Sequence, residues 1–357
     1  MISSLDIQIE KNNQSRLQNI DFSNLSFGGV FTDHQARIAF VDGEWKTPEI
    51  MPYGPIEMLP GAKILHYGQG VFEGMKAFRY QDGKINIFRA DKHHARFVRS
   101  CERMNIPGIP FELFLETLKS LINLDREWVP KEKFKSLYIR PFIFAIDGSL
   151  GMSTSLNYHF MIICSPVGNY YSEGIKPVKL TTMPEYVRAV PGGVGEAKVP
   201  GNYAATLKPG AEANKAGYTQ ILWLDAIERK YVEEVGTMNI FFYMNDTLVT
   251  APLKGTILPG VTRMSVIELA KAKNIPVEER PISIDEVLEA AETGALKEVF
   301  GSGTAAVVSP VGLIHHKGKT VTLDQEKMGP LAQEFYDTIT AIHHGEEEDP
   351  DNWCTLV

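Results

Sequence analysis

Apolar and polar residues alternate along several short runs of the chain, with the period of two that marks β-strands. Residues 36–46 (ARIAFVDGEWK) and 77–88 (AFRYQDGKINIF) each place an Asp-Gly pair between two such runs, which predicts a tight hairpin turn. Residues 136–145 (SLYIRPFIFA) and 157–164 (NYHFMIIC) are almost continuously apolar, and this predicts buried strands.

Helices are predicted between these strands. Asp91 can cap a helix that runs to about Asn105, and FELFLETLKSLINL predicts a second helix. The apolar residues expected on one face of the first helix are Phe97, Val98, Cys101 and Met104. In the second half, the runs TQILWLD, NIFFYM and DTLVT predict strands that alternate with the helix RMSVIELAKAK. Another helix is expected to begin at Ser283, where Glu286 completes a capping box, and to end at Gly294.

The length of 357 residues exceeds what one hydrophobic core usually organises, so two domains are expected. Residues 165–176 (SPVGNYYSEGIK) interrupt the pattern with Pro, Gly and Ser, which indicates an interdomain connection. We therefore predict a mixed α/β chain. Its parts are an N-terminal domain over residues 1–168, a connection over 169–178 and a C-terminal domain over 179–357.

Composition narrows the class of protein. The net charge of −8 without any basic block disfavours a nucleic-acid partner, and no apolar run approaches the length of a membrane span. Three cysteines without a metal-like or redox-like spacing fit a reducing cytoplasm, and the N-terminus lacks a signal-peptide pattern. The acidic tail HHGEEEDPDN is interpreted as a solvated surface, because its two histidines lack further placed ligands; no metal site is expected.

Lys198 is the first candidate for chemistry. It lies in GEAKVPGNYAATLKPG, between Gly-Ala and Pro-Gly neighbours that leave room for a bulky group. A lysine that bonds a carbonyl cofactor must lose its proton, and burial favours the neutral amine. Taken alone, however, such a lysine is usually a surface charge.

Glu234 is the second candidate, in YVEEVGTMNIFFY, where it precedes a Gly-Thr turn between two strands. A buried carboxylate there suits the pyridine nitrogen of pyridoxal 5'-phosphate (PLP), whose protonated ring is an electron sink. An exposed glutamate at a strand end is the simpler alternative. ILPGVTR and FGSGTAAVV add turns whose N–H groups suit a phosphate or a carboxylate, whereas the glycines near GQGVFEG do not match a dinucleotide fold.

Together, HYGQGVFEGMKAFR, LYIRPFIF with GSLGM, AKVPGNY, EVGTMNIFF, ILPGVTR and FGSGTA resemble the branched-chain aminotransferases in order and spacing. The resemblance covers the chain from Phe27 onward. It implies fold type IV of the PLP enzymes, with a smaller N-terminal α/β domain, a larger C-terminal domain with a pseudo-barrel sheet, and an active site between them. It also implies a homodimer that transfers the amino group of leucine, isoleucine or valine to 2-oxoglutarate.

The resemblance assigns roles to individual residues. Lys198 would bond PLP and move the proton at the substrate Cα, Glu234 would hold the pyridine nitrogen, and Tyr203 would bind the phenolic oxygen. The phosphate would be bound by Arg96 and by the N–H groups of Val261 and Thr262, with Thr237 beside them. Residues implied at the substrate are Thr304 and Ala305 for its carboxylate, Tyr67 and Arg140 as a polar wall, Phe27, Phe72, Tyr138 and Tyr170 as an apolar wall, and Leu150 and Met152 from the partner subunit; Thr304 also stands among the cofactor residues.

Some alternatives stay open. Arg140 precedes a proline in a strand and could serve only to pair with a carboxylate across the sheet. A D-amino-acid aminotransferase or an aminodeoxychorismate lyase would use an equivalent lysine and glutamate, although both families are typically shorter and lack this combination of motifs. A non-catalytic binding protein with the same fold is a further alternative.

Overall fold

The computed structural model describes residues 6–168 and 176–357. The chain divides into two compact units, here called unit 1 (Met1–Asn169, Ala197–Pro200 and Ala341–Val357) and unit 2 (Tyr170–Glu196 and Gly201–Thr340). The predicted connection, residues 169–178, is described only from residue 176, so the predicted domain limits stay a prediction. Within the described ranges, no helix is long and apolar enough to cross a membrane.

Unit 1 is built on one mixed sheet in which long antiparallel strands predominate. Its strands are β1 (Gln8–Ile9), β2 (His34–Val41), β3 (Glu44–Trp45), β4 (Glu49–Pro52), β5 (Gly70–Phe72), β6 (Met75–Arg79), β7 (Ile85–Phe88), β8 (Ser136–Ala145), β9 (Tyr158–Val167) and, from the C-terminus, β19 (Cys354–Leu356). The order along the sheet is β1-β4-β2-β9-β8-β6-β7-β19, with β3 on β2 and β5 on β8. Both predicted Asp-Gly turns join neighbouring strands, and both apolar runs form the central pair β8 and β9.

The helices of unit 1 are α1 (Lys63–Tyr67), α2 (Ala90–Arg103) and α3 (Phe111–Leu124), the last with the predicted bounds. Phe97 of α2 and Phe114 of α3 lie 5.6 and 6.0 Å from the ring of Phe160 on β9, so both helices bury an aromatic side chain against the sheet. The prediction that Asp91 caps α2 is wrong. The helix begins at Ala90, with Arg89 (φ 49°) as its N-cap, so the cap is two residues earlier than predicted; Asp91 lies in the first turn, where an acid still suits the helix dipole.

Unit 2 contains a closed ring of six strands. Its strands are β10 (Val178–Thr181), β11 (Gln220–Leu224), β12 (Val232–Val235), β13 (Met238–Met244), β14 (Thr247–Thr250), β15 (Val277–Glu279), β16 (Leu296–Gly303), β17 (Val307–His316) and β18 (Lys319–Thr322). The ring runs β12-β11-β10-β17-β16-β13 and closes through β12 and β13. It surrounds a core rich in Val, Leu, Ile, Met and Phe, to which Phe242 and Leu222 contribute fully buried side chains. The predicted pseudo-barrel is confirmed.

The helices of unit 2 are α4 (Pro200–Ala204), α5 (Leu207–Lys215), α6 (Val261–Ala272), α7 (Ile284–Glu292) and α8 (Pro330–His343), which ends beyond the limit of the unit. Ser283 caps α7 as predicted, because its hydroxyl accepts the N–H of Glu286 at 3.0 Å. The Glu286 carboxylate binds Arg280 instead of completing the box. Gly294 follows the helix with φ 76°, a conformation that favours glycine.

The C-terminal segment differs from its prediction. His343 and His344 are buried in unit 1, with the His343 ring stacked 4.0 Å from Phe78, and the exposed part of the segment is limited to residues 345–352. Backbone N–H groups of Trp353 and Cys354 donate to Asp349, which closes the segment before β19 pairs with β7. A local sequence pattern does not predict this pairing, because β19 and β7 are far apart in the chain. Among the described residues, no group of three or more His, Cys, Asp or Glu side chains is arranged to hold a metal ion.

Candidate functional site

Lys198 lies just before α4 and belongs to unit 1, where both of its backbone polar groups are bound. Its N–H donates to the hydroxyl of Ser100 at 2.9 Å, and its carbonyl accepts the N–H of Phe72 at 3.0 Å. The Ser100 hydroxyl in turn donates to the carbonyl of Arg96 one turn earlier in α2. Lys198 is half-buried, and its Nζ lies 5.0 Å from the centre of the Phe72 ring. Two hydrogen bonds to separate elements thus fix the lysine backbone.

Arg96 is buried in α2 and forms a two-pronged ion pair with Glu73. Its Nε lies 2.8 Å from Oε2 and its Nη2 lies 2.6 Å from Oε1 of that carboxylate, which is itself fully buried. His93 Nδ1 lies 3.4 Å from the same Oε1. Burial alone would raise the pKa of Glu73, but the charge of Arg96 and the contact with His93 outweigh it and hold that pKa well below its usual range. Glu73 therefore orients a buried guanidinium.

Arg140 points from β8 into a group of aromatic side chains. Its Nη2 donates to the hydroxyl of Tyr138 at 3.0 Å, and its guanidinium carbon lies 4.8 Å from the centre of the Phe72 ring. The ring of Phe27 contacts Tyr138 edge-on at 4.8 Å. Gly74 faces the same hydroxyl, and a Cβ there would lie 2.0 Å from it. Unit 1 thus brings together four of the residues predicted to contact the substrate.

The alternative role of Arg140, an ion pair across the sheet, is wrong. Among the described residues, no carboxylate pairs with Arg140, and its Nε is buried without a hydrogen-bond partner. A buried donor on a cation without a partner is costly, so this Nε calls for an acceptor beyond those that the described residues supply. A substrate carboxylate is such an acceptor.

Tyr67, Leu150 and Met152 lie together at the surface of unit 1. The Tyr67 hydroxyl donates to the Leu150 carbonyl at 2.5 Å, and the buried ammonium of Lys63 donates to the Ser153 carbonyl at 2.9 Å and hydroxyl at 2.7 Å. These bonds from α1 hold the loop that presents the two apolar side chains, which are 64% and 84% exposed. Tyr170, predicted in the apolar wall, lies outside the described residues.

Unit 2 gathers its candidate residues at one end of the barrel. Asn239 at the start of β13 pairs with Ser302 at the end of β16. The turn with Thr237, just before β13, and the turn with Thr304, just after β16, therefore lie at the same end of the barrel. Val307, two residues after Ala305, begins β17 with φ 62°, a strained conformation for a β-branched residue and one of the kind that clusters at functional sites.

Glu234 is only 3% exposed, so the strand-end alternative is wrong. Its Oε1 accepts the N–H of Leu258 at 2.9 Å and lies 3.4 Å from the side-chain nitrogen of Asn239. Its Oε2 lies 2.6 Å from Nε of Arg188. Two hydrogen-bond donors and one guanidinium therefore surround a buried carboxylate.

The N-terminus of α6 lies at the same end of the barrel. The N-cap residue is Gly260, which has no side chain to compete for the first N–H groups, and Val261 and Thr262 follow it. A Cβ on Gly260 would lie 1.9 Å from Oδ1 of Asn239, the residue that also contacts Glu234. Free N–H groups at a helix start suit a phosphate, and a buried anion suits a protonated ring nitrogen. The donor set of unit 2 therefore fits PLP.

Tyr203 lies half-buried in α4, one turn after Lys198. Four other residues that hold the candidates in place were missed by the sequence reasoning: Glu73, Ser100, Arg188 and Asn239. Glu73 offered a signal, since it is the one charge in the apolar run GVFEGM. The remaining three act through contacts with residues far along the chain or across a strand pair, which no local pattern reveals.

Comparison with known proteins identifies the family. Residues 70–314 match the family described as Amino-transferase class IV. The "Branched-chain-amino-acid transaminase 1" of Bacillus subtilis (strain 168) is 52% identical over 339 residues, covering 94% of this chain and 95% of that protein. A solved branched-chain aminotransferase from Thermoproteus uzoniensis, with norvaline, is 26% identical with a TM-score of 0.73, covering 90% of this chain and 99% of that chain. A solved T.th. branched-chain amino acid aminotransferase with pyridoxamine 5'-phosphate is 26% identical with a TM-score of 0.70, covering 89% of this chain and 97% of that chain. The chain therefore belongs to the branched-chain aminotransferases of the class IV aminotransferase family.

Proposed function

We propose that this protein uses pyridoxal 5'-phosphate to transfer the amino group of L-leucine, L-isoleucine or L-valine reversibly to 2-oxoglutarate, giving branched-chain 2-oxo acids and L-glutamate. The observation that carries the proposal is the buried Glu234 carboxylate, which lies beside the uncapped start of α6 and is contacted by two hydrogen-bond donors and the guanidinium of Arg188. Such a pair of features suits one ligand that has both a basic ring nitrogen and a phosphate. Membership of the family supports the proposed reaction. One solved member of the family is described with pyridoxamine 5'-phosphate, which supports the proposed cofactor.

Different residues of the chain are proposed to bind different parts of the cofactor. Bound PLP would supply an electron sink for the charge left when the substrate Cα loses its proton. Glu234 would hold a proton at the ring nitrogen, and Tyr203 would donate to the phenolic oxygen. The phosphate would be bound by Arg96 and by the N–H groups of Val261 and Thr262, with Thr237 and Thr304 at the same end of the barrel.

Lys198 would attach the cofactor covalently and, once released, its Nζ would carry the proton away from the substrate Cα. The hydrogen bonds from its backbone to Ser100 and Phe72 limit the movement of the lysine to its flexible side chain. The N–H groups of Thr304 and Ala305 would bind the substrate carboxylate. Phe27, Phe72 and Tyr138 would enclose the branched side chain, and Tyr170 is proposed with them from the sequence alone.

Steady-state rates with leucine, isoleucine, valine, phenylalanine and D-alanine as donors to 2-oxoglutarate test the function. The three branched donors should give the highest kcat/KM, since each methylene buried in an apolar pocket contributes roughly 1–3 kcal/mol. A protein that prefers D-alanine would be a D-amino-acid aminotransferase instead. A purified protein that shows no visible absorption band after incubation with PLP would be a non-catalytic binding protein.

Arg140→Met is expected to slow the half-reaction with glutamate about 10-fold to 100-fold more than the half-reaction with leucine, because a charged hydrogen bond contributes about 1.5–3 kcal/mol. The reason is that only glutamate brings a second carboxylate for the unpartnered Nε of Arg140. Single-turnover rates measured for each substrate check this. Equal losses for the two substrates would mean that Arg140 supports the aromatic group and does not bind the second carboxylate.

The exposed apolar side chains of unit 1 support a homodimer. Leu59 contacts Gly148, and Tyr67 binds Leu150, so α1 and the loop of residues 147–157 form a continuous surface. Its exposed apolar members are Leu59, Leu65, Leu150, Met152 and Leu156. A patch of this kind on a globular protein marks a contact surface, and Leu150 and Met152 are proposed to reach the active site of the partner.

Met152→Glu is therefore expected to shift the protein toward monomer and to lower its activity, because the new charge would be buried on association. Sedimentation equilibrium measures the first effect. Ile227→Glu is the matched control, since Ile227 is 77% exposed in unit 2 and should tolerate a charge. A wild-type protein that sediments as a monomer would contradict the proposal.

The cytoplasm is the proposed location. The support comes from the cysteines, which are all free thiols: Cys101 and Cys164 are buried and Cys354 is partly buried. Burial raises the pKa of each of these thiols, so none is an activated nucleophile.

A further inference from the structure

Arg188 contacts Glu234 without having been predicted in the site. Its side chain is 8% exposed, and its Nε lies 2.6 Å from Oε2 of Glu234. Its Nη2 donates to the backbone carbonyls of Gly195, at 3.0 Å, and of Thr256. Gly195 permits this arrangement, because a Cβ there would lie 2.5 Å from the Thr256 carbonyl. The guanidinium is thus fixed by two carbonyls while it faces one carboxylate.

The neighbour of Glu234 indicates what burial does to an acid in this strand. Glu233 is 8% exposed, and one of its oxygens accepts the hydroxyl of Thr256 at 2.5 Å, while the other is buried without a hydrogen-bond partner. Burial raises the pKa of Glu233, against the opposing effects of Thr256 and Arg188. Burial therefore drives Glu233 toward its neutral form even though the charge of Arg188 opposes it, since no cation contacts that carboxylate directly among the described residues.

Glu234 has more close partners than Glu233, and one of them is a cation. A backbone N–H and the Asn239 amide hold Oε1, and the fixed cation of Arg188 stands against Oε2. An ionised carboxylate attracts a protonated ring nitrogen by charge, whereas a neutral carboxyl group cannot. Two hydrogen bonds to Oε1 and the contact of Oε2 with the guanidinium set the orientation of the carboxylate.

We propose that Arg188 is the positioning residue that keeps Glu234 ionised and aimed at the ring nitrogen of the cofactor. This inference rests on the proposed role of Glu234. Arg188 acts through Glu234 and has no direct part in the movement of the substrate proton. Its removal should therefore matter only as long as position 234 can carry a charge.

Five variants test this: Arg188→Met and Arg188→Lys, each alone and combined with Glu234→Gln, and Glu234→Gln by itself. Three quantities are measured for each: the leucine single-turnover rate, the dissociation constant for PLP from tryptophan fluorescence, and the pH dependence of the visible band of the bound cofactor. Arg280→Met is the control, because Arg280 forms ion pairs with Glu278 and Glu286 elsewhere in unit 2.

Arg188→Met should slow the leucine half-reaction about 10-fold to 100-fold, the effect expected when one contact between charged groups is lost, and it should shift the pH profile of the band. Arg188→Lys keeps a positive charge at this position, so it should retain part of the rate and of the pH profile. In the Glu234→Gln background, the same replacement should change the rate less than about threefold. If Arg188→Met does not fold, the comparison of Arg188→Lys in the two backgrounds carries the test.

Two results would overturn the inference. Wild-type rate, PLP affinity and pH profile in Arg188→Met would show that Glu234 needs no cation. An equal loss in both backgrounds would show that Arg188 acts only by holding Gly195 and Thr256. If Glu234→Gln itself changed neither rate nor pH profile, the proposed role of Glu234 would fail first, and that result is distinct from the other two.

Discussion

Lys198→Ala is expected to leave a folded protein that binds PLP without a covalent bond and turns over leucine about 10³-fold or more slowly than the wild type, since covalent attachment and the mobile base are lost together. Folding should be little affected, because the hydrogen bonds to Ser100 and Phe72 use only the backbone of residue 198. Borohydride reduction followed by mass spectrometry should attach the cofactor to the wild type and not to the variant.

A matched control for Lys198→Ala is Lys208→Ala. Lys208 lies in α5, its side chain is 75% exposed, and its nearest acid is Glu212 at 3.9 Å. Loss of such a surface pair changes stability by at most about 1 kcal/mol and should leave turnover unchanged. Wild-type turnover in Lys198→Ala, or cofactor fixed by borohydride at another lysine, would show that a different residue carries the cofactor.

Local patterns predicted the elements of both units well. The Asp-Gly hairpins, the helix α3 and the cap of α7 at Ser283 each depend on residues within a few positions of one another, so a short window of sequence contains the necessary information. Pairings between strands that are far apart in the chain, including those of the barrel, depend on more than a short window of sequence. The parallel pairing of β10 with β17 joins Val178 to Val311, and in the sheet of unit 1 the antiparallel pairing of β19 with β7 joins Cys354 to Phe88. Such pairings are decided by the whole chain, and only the family resemblance anticipated the barrel.

The candidate site divides in the same way. Lys198 and Glu234 could be located because each lies in a recognisable motif, although in isolation each would have been interpreted as a surface charge. Their partners could not, since Arg188 and Glu234 stand far apart in sequence and meet only through the fold. A charged side chain needs such partners because it is buried, and the burial of a single side chain depends on the tertiary structure, which a local sequence pattern does not reveal.

The ion pair between Glu73 and Arg96 is the second feature for which a large effect is expected. Glu73→Gln should lower the free energy of unfolding by about 3–5 kcal/mol, because it leaves a buried guanidinium without its opposite charge. It should also weaken PLP binding, since the Nε and Nη2 of Arg96 would no longer both donate to a carboxylate that orients the guanidinium. Urea denaturation of the cofactor-free protein measures the first effect, and fluorescence titration with PLP measures the second.

The control is Glu49→Gln in the same unit. Glu49 pairs with Arg37 at 2.6 Å, but both side chains are more than one-third exposed, so water screens the pair and its loss should change the stability by at most about 1 kcal/mol. The double variant Glu73→Gln with Arg96→Met should be more stable than Glu73→Gln alone, because it removes the uncompensated charge as well. Purely additive losses would contradict the coupling between Glu73 and Arg96.

The effect of Glu73 should also depend on pH in a defined direction. Burial raises the pKa of this carboxyl group, but Arg96 and His93 outweigh burial and hold it below the value of about 4.3 for an unfolded chain. The unfolded state therefore binds more protons than the folded state as the pH falls below about 4.3, and the stabilisation from Glu73, complete above that pH, is progressively lost. Glu73→Gln has no such proton to bind, so the stability difference between wild type and variant should be largest near neutral pH and should narrow as the pH falls below about 4. Urea midpoints between pH 3 and pH 7 measure this, and a difference that stayed constant over the whole range would mean that the charge of Glu73 contributes nothing to folding.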